Sequence, residues 1–163
     1  MFYLKLFIIY SILGFLFESF IYKYNNINKH SGVLTGPYTL VYGLGGTLCY
    51  FLNNYLSYIK SPLLNIIISY TTFTIICTLM ELIIGYLIHF LYKIDGWNYT
   101  YKKYHLGKYI TLDYAFIWGL MAIILVKILN NYIYNQTLLI SNRFTTITLV
   151  IIVLDILYTY KKT

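Results

Sequence analysis

The chain is short of charge. Only 10% of its 163 residues are Asp, Glu, Lys or Arg, against about 25% in a soluble domain. So few charges do not cover a water-facing surface, which excludes a soluble globular domain and makes lipid the main solvent. Cysteine is scarce too. Cys49 and Cys77 both lie inside apolar runs, and no CxxC or Cys/His cluster accompanies them. A disulfide framework or a zinc site is therefore not expected. No Walker A pattern is present, so ATP hydrolysis would have to come from another chain. No motif calls for a cofactor. Proline occurs twice, at Pro37 and Pro62, each at the opening of an apolar run. Its missing N–H costs nothing in a first helical turn.

What is there is apolar and aromatic. Hydrophobic residues make up 60% of the chain, with 21 Tyr and 10 Phe, and mean hydropathy is +0.68. Each bilayer crossing needs about 20 apolar residues. Five runs meet or approach that length: 2–22, 36–56, 62–92, 112–129 and 137–160. The expected fold is all-α, a polytopic integral membrane helical bundle of about five transmembrane helices. It forms a single membrane domain over 1–163. The link 130–136 reads as a short uncharged loop. The opening MFYLKLFIIYS lacks a basic n-region and a small-residue cleavage site, and reads as a retained span rather than a signal peptide.

The net charge of +7 does not point to nucleic acid, because the lysines sit at the ends of apolar runs, where headgroups and topology explain them. Five spans divide the basic residues unequally. Lys23, Lys29, Lys93, Lys102, Lys103, Lys108, Lys161 and Lys162 fall on one side. Lys5, Lys60, Lys127 and Arg143 fall on the other. Eight against four places the first side in the cytoplasm, with the N-terminus outside and the C-terminus inside.

Acids within apolar runs are costly and usually have a reason. Glu18, Glu81, Asp113 and Asp155 lie in or at the edge of such runs, all toward the cytoplasmic side on this topology. Helical spacing adds a polar and small-residue stripe beside each glutamate. Ser11, Gly14 and Glu18 share one face. Thr74, Cys77, Glu81, Gly85 and His89 share another. We expect a polar intramembrane site built from Glu18, Glu81 and Asp113. Buried structural bonding is the competing reading, and for Asp113 a helix cap. Gly43 and Gly46 form a small-residue face on the second run, and Ala115, Gly119 and Ala122 form one on the fourth. With Gly14 and Gly85, these mark close helix packing. The loop after the third run carries Trp97, Tyr99, Tyr101, Gly107 and Lys108. It reads as an interfacial aromatic belt that folds over the mouth of the bundle, and Lys108 is a candidate counter-charge for the buried acids. His30 and His105 read as loop residues, with no metal site among them.

Three blocks carry a family resemblance: YSILGFLFES at 10–19, GVLTGPYTLVYGLGG at 32–46, and the stretch from MELIIGY through WNYTYKKYHLGKY to FIWG at 80–119. The chain resembles the bacterial family of small permease-like membrane proteins described as putative ABC-transporter type IV. Asn98 stands where that family usually has Asp, His105 near its Asn, and Lys108 where it usually has Arg. Lys for Arg exchanges a bidentate fork for a point charge. The resemblance implies an all-helical bundle in a bacterial cell membrane, a transport permease role without catalytic residues, and a separate ATPase subunit. At this size, a path across the membrane also implies a homo-oligomer. A structural or regulatory role in a larger complex stays open. So does a lipid-handling enzyme using Glu18, Glu81 and His89, although no nucleophile motif supports it.

Overall fold

A computed structural model describes residues 1–26 and 32–162. The apolar runs become helices: α1 Phe2–Tyr24, α2 Leu40–Leu56, α3 Pro62–Tyr92, α4 Leu112–Ile123, α5 Asn130–Leu139 and α6 Asn142–Lys162. α4 continues as a π-helical turn over Ile124–Ile128. α3 starts where the chain dictates it. Pro62 occupies the first turn, and the Ser61 hydroxyl accepts from the Leu64 N–H, satisfying one of the orphan donors of a helix start. Lys29 and His30, read above as loop residues, lie outside the described residues.

Three helices, α1, α3 and α6, are long and apolar enough to cross a membrane. The other two expected spans are less regular. α2 has 17 residues, about 26 Å at 1.5 Å per residue, somewhat under the roughly 30 Å of a hydrocarbon core. α4 with its π turn reaches span length only together with α5, and the two meet at a bend of 68°. Counting that pair as one span gives four.

Three boundaries differ from the sequence reading. The run expected over 137–160 is broken: its first residues close α5 at Leu139, and it resumes as α6 only at Asn142. The run expected to start at 36 becomes helical only at Leu40, because Thr35, Gly36 and Tyr38 spend their donors on Asp155. The stretch 130–136 is not a loop but most of α5. Its Ile133 is buried against Leu6 and Tyr10 of α1, and that burial repays folding it back as a helix.

From α1 to α4, consecutive helices pack antiparallel. Along α1 and α2, Phe2 meets Tyr50, Tyr10 lies over Gly46, Ser11 over Gly43, and the Tyr42 ring over Gly14. Between α2 and α3, Cys49 faces Cys77 with 3.6 Å between the sulfurs, and Asn65 reaches the Leu56 carbonyl. Between α3 and α4, Thr74 lies where a Gly119 Cβ would stand, and Lys127 donates to Asn65. Each glycine contact would overlap with a Cβ, so the small-residue faces are the helix seams. In lipid, where no hydrophobic force drives helices together, such close approach supplies the attraction. α6 runs parallel to α3, tied by the Tyr92 hydroxyl to the Ile156 carbonyl. All five acids of the chain, Glu18, Glu81, Asp95, Asp113 and Asp155, therefore sit toward one end of the bundle.

Candidate functional site

At that end the loop folds inward. His105–Leu106 and Ile110–Thr111 form an antiparallel hairpin, β1 and β2, with His105 opposite Thr111 and Leu106 opposite Ile110. Gly107 turns it with φ +65, a backbone region that glycine enters without a Cβ clash. The hairpin is locked onto α3 by Tyr109, whose ring fills the space over Gly85 and is 1% exposed. The Trp97 indole donates to the Tyr109 carbonyl, 3.3 Å away.

This anchoring carries Tyr99 into the bundle. Its hydroxyl donates to Glu81 Oε1 at 2.9 Å, and the Trp118 indole of α4 donates to Glu81 Oε2 at 3.0 Å. Glu81 is 5% exposed, so both oxygens are satisfied by neutral side chains from two other elements. Burial, and then the facing Glu81, raises the Tyr99 hydroxyl above the ordinary tyrosine pKa, which keeps it a donor. Glu18 joins from α1. The Tyr42 hydroxyl of α2 donates to Glu18 Oε1 at 2.9 Å, and the Tyr42 ring meets Trp118 edge-on at 5.4 Å. Gly14 is what admits that ring, since a Cβ there would overlap it. Tyr114 completes the wall, 5.0 Å from Tyr99 and stacked 6.0 Å from Trp118 between ring centroids. Glu18 and Glu81 thus belong to one hydrogen-bonded aromatic network drawn from α1, α2, α3, α4 and the loop.

Asp113 stands apart from them. It is exposed in the first turn of α4 and pairs with Lys102 at 3.5 Å. The Lys102 ammonium also lies 4.9 Å from the Tyr114 ring centroid, so Asp113 and Lys102 form the rim of the network rather than its interior. Lys108 does not serve the buried acids. It pairs with Asp95 at 3.1 Å, and that carboxylate also accepts from the Tyr109 hydroxyl at 2.7 Å and contacts His89 Nδ1 at 3.0 Å. The Tyr109 hydroxyl, then Lys108, hold the Asp95 carboxyl below the ordinary carboxylate range. Burial, then Asp95, push Tyr109 up to about 12. Tyr101 is 74% exposed at the rim.

Asp155 has a separate task. It accepts from the Thr35 N–H and hydroxyl, the Gly36 N–H, the Tyr38 hydroxyl and the Thr159 hydroxyl. An anion held by so many donors is a clamp, fixing α6 to the segment that leads into α2.

Tyr42, Tyr114 and Trp118 were not singled out from the sequence. A Trp inside an apolar run carries an N–H that must find an acceptor when buried, and Trp118 with Tyr114 at helical spacing was the available signal. Among the described residues, no group of three or more His, Cys, Asp or Glu is placed to hold a metal ion.

The geometry is that of a membrane helical bundle with a polar, aromatic-walled cluster at one end. No curated protein and no solved structure matches the chain. One family's sequence model covers nearly all of it, from residue 5 to residue 160. The blocks 10–19, 32–46 and 80–119 that supply the network, and the clamp residue Asp155, lie within that match, and the chain belongs to the family described as putative ABC-transporter type IV.

Proposed function

We propose that the chain is the permease-like membrane subunit of a transporter, with Glu18 and Glu81 at its polar intramembrane site. The observation that supports this most is Glu81. A carboxylate 5% exposed in an apolar helix costs at least about 2.5–3.5 kcal/mol to insert on translocon scales. Both of its oxygens are held by neutral donors, Tyr99 of the loop and Trp118 of α4, within a network that also holds Glu18 through Tyr42. A separate ATPase supplies the energy, and a homo-oligomer completes the path, since so few helices enclose little. The end carrying the acids and the loop faces the cytoplasm, following the lysine bias, with the N-terminus outside.

Purification of the tagged chain from its native membranes tests this. Co-purification of a nucleotide-hydrolysing subunit is the expected result. An assembly that consistently lacks one would shift the function to a structural or regulatory partner. Labelling of Lys102→Cys in intact cells tests the orientation: protection from a membrane-impermeant maleimide is expected, and ready labelling overturns it.

A further inference from the structure

We propose that the Glu81 site binds an organic monocation, a ligand bearing a protonated amine or a quaternary ammonium. The inference rests on the reading of this network as the ligand site. Three features point to that chemistry.

The first is uncompensated charge. The two oxygens of Glu81 accept from a phenol and an indole, neither of which carries charge. Among the described residues, the ion pairs all involve Asp95 or Asp113, and none reaches Glu81. A buried carboxylate in a low-dielectric setting gains most from a cation that arrives with the ligand.

The second is the wall. Tyr42, Tyr99, Tyr114 and Trp118 form an aromatic cluster beside the carboxylates, packed on one another at ring-centroid distances of 5.0 to 6.0 Å. Aromatic faces attract ammonium groups through the ring quadrupole, more strongly once desolvated, and such boxes are how quaternary ammonium ligands are held. A metal ion would want several oxygen, nitrogen or sulfur ligands instead, and no such group is assembled here among the described residues.

The third is the ammonium already on that wall. Lys102 Nζ lies 4.9 Å from the Tyr114 ring centroid while pairing with Asp113. The chain's own primary amine thus shows that a face of this aromatic cluster accepts an ammonium, with a carboxylate beside it. Tyr99 belongs to the loop rather than to a helix. Its phenol is the donor at Glu81 Oε1 that the ligand's cation would displace.

The test is fluorescence of the purified full chain in detergent. Trp97→Phe leaves Trp118 as the reporter, 3.0 Å from Glu81. Titration with tetraethylammonium chloride should change its emission saturably. NaCl at equal ionic strength and the uncharged 3-ethyl-3-pentanol should not. In that background Glu81→Gln should weaken binding about tenfold or more, as should Tyr114→Leu, while Tyr114→Phe, which keeps the ring, should stay within about threefold. An equal response to the alcohol or to NaCl overturns the proposal. So does unchanged affinity in Glu81→Gln, or identical behaviour of Tyr114→Leu and Tyr114→Phe. Tyr114 makes no bond to Glu81, so that pair decides the matter even if the Gln variant folds poorly. The ATPase co-purification uses no cation, so a transporter subunit with a different ligand class would still pass it.

Discussion

The Trp118 indole donates to Glu81 Oε2 at 3.0 Å, and this bond joins α4 to α3 at the depth where Tyr99 descends from the loop. The two partners differ in what removing them does. Glu81→Leu strands two buried donors, the Tyr99 hydroxyl and the Trp118 N–H, at about 1–3 kcal/mol each. Glu81→Gln keeps one acceptor oxygen and loses less. Thermal unfolding in detergent should therefore rank wild type, then Gln, then Leu. If Leu unfolds at the wild-type temperature, the donors are satisfied elsewhere and the network is not what holds this end together.

Gly119 governs the α3–α4 seam. A Cβ there would overlap Thr74 Oγ1 and lie 3.1 Å from the Tyr70 ring. Overpacking of this kind costs about 1–3 kcal/mol, so Gly119→Ala should lower the unfolding temperature and Gly119→Leu lower it further. Leu120→Ala, on the 55% exposed neighbour, should change little. Because the severest overlap is with the Thr74 hydroxyl, Thr74→Ala should restore part of the loss in Gly119→Ala. Strictly additive effects of the two changes would place the seam elsewhere.

Asp155 is the charged tie between α6 and the segment leading into α2. Replacing it by Ala leaves the donors of Thr35, Gly36 and Tyr38 unpaired. Bonds to a charged acceptor are worth about 1.5–3 kcal/mol each, so the loss should reach at least about 2 kcal/mol. The segment 32–39 should become cleavable by added protease before the helices do. A variant with wild-type stability and an uncut 32–39 segment would show that α6 docks through its apolar face alone.

The helices are legible as apolar runs and the small-residue faces as spaced glycines, because both signals are local. Gly14, Gly43, Gly46 and Gly119 each lie against a side chain of a neighbouring helix, whereas Gly85 lies under Tyr109 of the loop. What was not legible depended on distant partners. Asp155 looked like one more intramembrane acid, since nothing in 150–160 reveals that the donors of 35–38 wait for it. The helical character of 130–136 is hidden by its polar composition, and burial of α5 through Ile133 and Thr137, Ile133 against α1, accounts for it. Lys108, a candidate counter-charge for the buried acids, pairs with Asp95 instead. The hairpin turn at Gly107 brings it to Asp95, and turn geometry of that kind is not written in charge spacing.

The same turn makes the loop pH-sensitive in a defined direction. Asp95 holds three partners: the Tyr109 hydroxyl, Lys108 and His89. The first two depress its carboxyl pKa in the folded loop. A depressed folded value means that folding favours the carboxylate. The contribution is full above the unfolded value, about 3.9, and is lost as pH falls through the lower folded value. The loop should therefore keep its hairpin at neutral and weakly acidic pH and loosen only in strong acid. Hydrogen exchange of 93–111, corrected for intrinsic rates, reads this directly. The Tyr99 N–H, bonded to the Lys108 carbonyl at 2.7 Å, is the most informative site. In wild type its protection should hold from pH 7 to pH 5 and fall below about 4. Asp95→Asn should show reduced protection throughout, with no step in acid, because Asn does not titrate. If Asp95→Asn is as protected as wild type at pH 7, the carboxylate does not hold the loop, and Tyr109 packed on Gly85 does so by itself.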